Sequence, residues 1–146
     1  MESVKINKNL GAYIKGYVDN IIQDTHSIYI TVENENNSSV DKFNPKEIAV
    51  LVQNVISNSI KYRASTIKFK LFKENEINYI IIEDNGDGLS EEADPEGIFK
   101  FGVRYGNNSG SGIGLYHVRE IVKKQLKGNI SLDPTFKDGF RLKVVY

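Results

Sequence analysis

Apolar positions along the chain switch between a period near four and a period of two, and the switches mark out its elements. In "NLGAYIKGYVDNIIQ", Leu10, Ile14, Val18 and Ile21 fall on one stripe with Tyr13 and Tyr17 beside it, which predicts a helix, although Gly11 and Gly16 weaken it. "SIYITVE" alternates Ile28, Ile30 and Val32 and predicts a strand, after which "ENENNSSVDK" reads as a polar loop. The strongest helix start lies in "FNPKEIAVLVQNVISNSIKYR": Asn44 suits the N-cap, Pro45 the first helical position and Glu47 a capping box. The buried stripe of that helix is Ile48, Leu51, Val52, Val55, Ser59 and Tyr62. "TIKFKLFK" and "INYIIIED", joined by "ENE", predict a hairpin whose second strand is apolar enough to be central. Residues 85–111 have little periodicity, and a loop of that length in a small domain is usually functional. Helix resumes at Gly114 and runs to about Lys127, with Leu115, Val118, Val122 and Leu126 inward and Gly128 as the stop. "NISLD" and "GFRLKVVY" close the chain as strands, the second alternating Phe140, Leu142, Val144 and Tyr146.

The resulting order is helix, strand, helix, two strands, long loop, helix, two strands. Strands that follow one another in pairs favour an antiparallel or mixed sheet with helices on one face, so the expected fold is a two-layer α/β sandwich, not a doubly wound one. No internal repeat or low-complexity linker interrupts it, and 146 residues suit a single domain.

Composition narrows the function. Lys plus Arg and Asp plus Glu are both 19, which gives no long-range attraction to nucleic acid. The absence of cysteine excludes disulfides, zinc–thiolate sites and cysteine nucleophiles. No apolar run reaches the ~18 residues that span a bilayer, and "MESVKINKN" is not a signal peptide, so a cytoplasmic setting with no membrane contact by this domain is expected.

Three stretches carry chemistry. Asn54, Asn58 and Lys61 lie within about 60° of one another on the helix that follows Pro45, facing away from much of the apolar stripe. The cluster suits a solvated helix face. It equally suits a phosphate and metal site, because amide oxygens are hard ligands for Mg²⁺ and an ammonium attracts phosphate. "IIIEDNGDGLS" runs a strand into Asp84-Asn85-Gly86-Asp87-Gly88. Those are ordinary turn residues, yet a carboxylate fixed at a strand end can accept a hydrogen bond from an exocyclic amine such as that of adenine. The glycines would admit a flat ring close to the backbone. "GSGIGLYHVREIVKK" has Gly110, Gly112 and Gly114 before a helix N-terminus, where free N–H groups favour an anion. A glycine-tolerant helix start would look the same. It is not a dinucleotide fingerprint: G-x-G-x-x-G needs glycine where Leu115 stands, and no hydrophobic strand precedes it. Nor is the P-loop pattern present.

Taken together, Asn54-x-x-x-Asn58, Asp84-x-Gly86-x-Gly88 and Gly110-x-Gly112-x-Gly114-Leu115 resemble the asparagine box and two glycine boxes of the GHKL ATP-binding superfamily, over residues 44–146. "IFKFG", with Phe99 and Phe101, is similar to the aromatic box of its histidine kinases, and "NSIKY" to their asparagine-box ending. The resemblance implies the Bergerat α/β sandwich and a single catalytic domain over 1–146 that binds ATP and Mg²⁺. It implies that Asp84 binds the adenine amine, Gly86 and Gly88 line the base, and Asn58 holds the metal. Asn54 would position metal-bound water or phosphate, Lys61 contact phosphate, and Tyr62 pack by base or sugar. Gly110, Gly112, Gly114 and Leu115 would form a hinge and a phosphate-facing helix start. Residues 89–109 would be an ATP lid anchored by Phe99 and Phe101, with Arg104 reaching the γ-phosphate. Residues 1–25 are similar to the piece such kinases carry between a dimerising, histidine-bearing hairpin and this domain.

Hydrolysing members of the superfamily usually carry glutamate where Asn54 stands. An amide cannot take up a proton from water, so transfer to a protein side chain is expected over efficient hydrolysis, with Asn54, Lys61 and Arg104 as the catalytic set. Neither His26 nor His117 sits in an acceptor motif. The acceptor is therefore expected on another segment or in trans, and the fragment alone is expected to be mainly monomeric. A serine kinase, a slow ATPase or a nucleotide-sensing module on the same fold are the alternatives.

Overall fold

Helix α2 (Pro45–Lys61) shows how closely the fold follows the pattern. Asn44 caps it, its side chain accepting from the Lys46 N–H at 2.9 Å, and Pro45 opens it. Ile48, Leu51, Val52, Val55, Ile56 and Ser59 are buried along one side. The computed structural model describes residues 4–21, 28–100 and 114–146.

Strands β1 (Ile6–Lys8) and β3 (Asp41–Phe43) form a small antiparallel pair, with Ile6 opposite Phe43. The main sheet has five strands in the order β2-β4-β5-β7-β6. These are β2 (Tyr29–Asn34), β4 (Thr66–Glu74), β5 (Ile77–Asp84), β6 (Asn129–Leu132) and β7 (Phe140–Val145). β2 runs parallel to β4, and the other neighbours are antiparallel. β5 is central, as its apolar run predicts. The β4–β5 hairpin turns on Asn75 and Glu76, both at positive φ (53° and 65°), as a two-residue turn requires for strands that twist right-handedly.

Alternation sends Ile67, Phe69, Leu71, Ile80, Ile82, Leu142 and Val144 to one face. There they meet α1 (Leu10–Ile21), α2 and α3 (Gly114–Ile121) in one core. Leu10, Ile14, Tyr17 and Val18 of α1 belong to that core. The two-layer α/β sandwich with a mixed, mostly antiparallel sheet is therefore the observed fold. No helix among the described residues is long and apolar enough to cross a membrane.

Four local expectations are corrected. β1 and β3 went unforeseen, and β3 takes the end of the segment read as a polar loop; three-residue strands are too short for alternation to register. Glu47 does not close the capping box: the Asn44 N–H donates to Gln125 Oε1 at 2.8 Å, from a residue far along the chain. The last helix is not uniform, since α3 gives way to a π-helical turn over Val122–Leu126. The left-handed residue that ends it is Lys127 (φ 54°), not Gly128. Gly128 is needed for a different reason: a Cβ there would overlap the Val145 carbonyl oxygen of β7.

Candidate functional site

The period of two along β5 that buries Ile80 and Ile82 also turns Asp84 inward. Asp84 is 7% exposed and is the one buried charged side chain among the described residues. A carboxylate in a core must be hydrogen-bonded, and this one is. Its Oδ1 accepts from the Gly86 N–H at 3.0 Å and the Phe140 N–H at 3.1 Å, and its Oδ2 accepts from Ser59 Oγ at 2.7 Å.

The turn after Asp84 is fixed on every side. Asn85 Oδ1 accepts from the Ser65 and Thr66 N–H groups at 2.8 and 2.9 Å. The Asp87 N–H donates to the Tyr62 carbonyl at 2.8 Å, and the Asp87 carboxylate takes both Nε and Nη2 of Arg63 at 2.9 and 3.0 Å. That pairing raises the Arg63 guanidinium further above its usual range. At Gly86 a Cβ would come within 2.6 Å of the Tyr62 carbonyl oxygen, so the end of α2 and this turn touch backbone to backbone. Gly88 has φ +72° and faces the Gly139 carbonyl, 2.7 Å from where its Cβ would stand. Only glycine meets both demands.

α2 presents Asn54 and Asn58 half-buried and Lys61 exposed at its last turn. Tyr62, just beyond, is buried, and burial pushes its phenol above the ordinary tyrosine range. The Asn54 amide oxygen lies 4.0 Å from the position of a Cβ on Gly114, the first residue of α3. Leu115 is buried beneath it. Phe99, in a single 3₁₀ turn over Gly97–Phe99, is 1% exposed; Arg119 of α3 sits over its ring, 5.6 Å from the centroid, and pairs with Glu96 at 3.7 Å.

One helix thus joins the three stretches: Ser59 of α2 holds the carboxylate at the end of β5, and Asn54 of α2 approaches the start of α3. Phe101, Arg104, Gly110 and Gly112 lie outside the described residues, as do positions 101–109 of the expected lid. The paired amides are hard, neutral oxygen donors that fit Mg²⁺ completing its shell with phosphate oxygens and water. Sequence reasoning missed Ser59 and Gly139 as parts of the site. A hydroxyl within an aliphatic stripe needs a buried partner, and that was the available signal for Ser59. Gly139 carried none, because what demands it is the Asp84 carbonyl oxygen, which a Cβ would overlap.

Residues 43–145 match the family described as histidine kinase-, DNA gyrase B-, and HSP90-like ATPase. The chain is 28% identical over 127 residues to a probable C4-dicarboxylate sensor kinase of Bacillus subtilis (strain 168), covering 80% of this chain and 23% of that protein. It is 33% identical over 94 residues to the sensor protein PhoQ of Escherichia coli O157:H7, covering 64% of this chain and 19% of that protein. It therefore spans less than a quarter of either relative's length. Among solved structures, the nucleotide-free catalytic domain of the histidine kinase ThkA superposes with a TM-score of 0.77 at 19% identity, over 99% of this chain and 97% of that one. Full-length ShkA in complex with AMPPNP gives 0.78 at 14% identity, over 99% of this chain and 31% of that one. The chain belongs to the family of histidine kinase-, DNA gyrase B- and HSP90-like ATPases and has the fold of histidine kinase catalytic domains.

Proposed function

We propose that this chain is the ATP-binding catalytic domain of a sensor histidine kinase, transferring the γ-phosphoryl group of Mg-ATP to a histidine on a separate helical hairpin, in the same parent protein or in trans. The observation that carries the reading is the convergence on α2: the Ser59–Asp84 hydrogen bond on one side and the approach of Asn54 to Gly114 on the other.

In this reading Asp84 accepts from the adenine amine, and Gly86 and Gly88 let the ring approach. Tyr62 packs by base or sugar. Asn58 holds Mg²⁺, Asn54 positions metal-bound water or phosphate, and Lys61 places a point charge toward phosphate. Gly110, Gly112, Gly114 and Leu115 form the hinge and helix start that face the phosphates. Residues 89–109 cover the site, anchored by Phe99 and Phe101, with Arg104 directed to the γ-phosphate. When bound, the metal neutralises phosphate charge that would otherwise repel a nucleophile. The chain's own part is positioning and charge. Asn54 offers no base to activate water, which favours an acceptor side chain over hydrolysis. Residues 1–25 lead from the hairpin into this domain.

The test is calorimetric ATP binding with and without Mg²⁺ for wild type, Asp84→Asn and Asn58→Asp, followed by incubation with the hairpin of the parent protein. An acid-labile, alkali-stable phosphoprotein is the expected product. Phosphoserine or free phosphate would point instead to a serine kinase or a slow ATPase. ATP affinity with no product would point to a nucleotide-sensing module.

A further inference from the structure

Ser59 occupies a position where alanine would be the simpler choice. It lies on the buried stripe of α2 at 3% exposure, and serine is the weaker helix former. In a helix interior a serine hydroxyl commonly bonds back to its own helix. This one reaches out of the helix to Asp84 Oδ2 at 2.7 Å. An ionised carboxylate offers about four lone-pair positions. Gly86 and Phe140 donate two N–H groups to Oδ1, and Ser59 donates its hydroxyl to Oδ2. Among the described residues one acceptor position remains, on Oδ2, and its direction is set by where the hydroxyl sits. Because the carboxylate is planar, the two backbone donors on Oδ1 restrain Oδ2 as well. Among the described residues Ser59 is the one donor to Oδ2, so its hydroxyl fills one acceptor position there and adds a second restraint on rotation.

We propose that Ser59 is a positioning residue for base recognition: its hydroxyl aims the free lone pair of Asp84 at the exocyclic amine of the bound purine and so sharpens the preference for a 6-amino base. This rests on the reading of Asp84 as the base-binding group.

The test is a cycle between residue and ligand, read by calorimetry with Mg²⁺. Wild type and Ser59→Ala are each titrated with ATP and with the triphosphate of purine riboside, which carries hydrogen in place of the amine. The expected result is a loss of about tenfold in ATP affinity on Ser59→Ala, a fraction of what a charged hydrogen bond can contribute. The amine-free nucleotide should lose less than about twofold. The ratio of the two affinities is the readout, so a general loosening of the domain, which weakens both ligands alike, does not imitate it. Equal losses, or no loss, overturn the proposal. If Ser59→Ala does not fold, Ser59→Cys, a much poorer donor of similar shape, is put through the same ratio. Asp84→Asn separates the two levels. If wild type prefers ATP to the amine-free nucleotide and Asp84→Asn abolishes that preference while Ser59→Ala keeps it, only the Ser59 role fails. If wild type shows no preference, the reading of Asp84 fails with it.

Discussion

The two faces of the five-stranded sheet are built from the same strands and obey opposite rules. The inner face is aliphatic and aromatic, with Phe69 fully buried and Ile80, Ile82, Leu142 and Val144 around it, and it admits one carboxylate at its end, Asp84. The outer face is charged and self-paired. Lys68 meets Glu33 at 3.1 Å, and Arg141 bridges Glu83 at 2.8 Å and Asp133 at 3.2 Å while covering the Phe136 ring at 4.1 Å. Phe72 and Tyr79 stack there at 4.9 Å with Lys70 and Lys143 over their rings. The contrast teaches where a charge carries meaning. Outside, water and salt screen each ion pair, and its net contribution is small. Inside, a carboxylate persists only if donors are arranged around it, and among the described residues that arrangement leaves one acceptor position of Asp84 open.

The contrast is open to direct attack. The largest effect is expected from Phe69→Ala on the inner face, which should cost about 3–5 kcal/mol of stability by urea unfolding, from lost burial and the cavity left behind. Asp84→Asn should weaken ATP binding by about 1.5–3 kcal/mol, the worth of a hydrogen bond to a charged group. Retention of wild-type affinity would remove the inner carboxylate from base recognition. Gly139→Ala forces a methyl against the Asp84 carbonyl. It should cost about 1–3 kcal/mol of stability, as overpacking does, with a matching fall in thermal midpoint.

A pH test addresses the other end of the inner layer. Burial, and then the nearby Asp41 carboxylate, raise the Tyr146 phenol above its usual range. A raised pKa means that this contribution is fully present below the unfolded value of about 10 and is lost as pH climbs through the folded one. Tyr146→Phe should therefore shallow the alkaline fall in urea midpoint as pH rises above about 10. It should not flatten it, because Tyr13 and Tyr62 are raised as well. The smallest effect is expected on the outer face: Lys68→Met should change stability by about 0–1 kcal/mol, shrinking further in high salt.

Much of this was legible in the sequence. The capped α2 helix and the central β5 strand follow from local patterning, as does the shared face of Asn54, Asn58 and Lys61. The inward turn of Asp84 does not, because both registers of β5 are apolar. What escaped depends on partners distant along the chain. Gln125 replaces Glu47 at the Asn44 N–H across 81 positions, and the Phe140 N–H reaches Asp84 across 56. Ser59 reads as core, which it is by exposure, while its hydroxyl donates to Asp84 across 25 positions. Gly128 was read as a helix stop, when the nearby β7 backbone is what forbids a side chain there.

Helix α1 and strand β2 both precede residue 43, where the family match begins. Yet Leu10, Ile14, Tyr17 and Val18 lie within the same core as Phe69, and Asn9 donates to the carbonyls of Asn36 and Ser39 while accepting from Asn34. The unit that folds is therefore longer than the unit that carries the recognition pattern. A version trimmed to the pattern would retain Asn54, Asn58, Asp84 and Gly114 yet bare the apolar flank beneath them, so the cut that looks safest by motif is the one that sends the molecule toward aggregation.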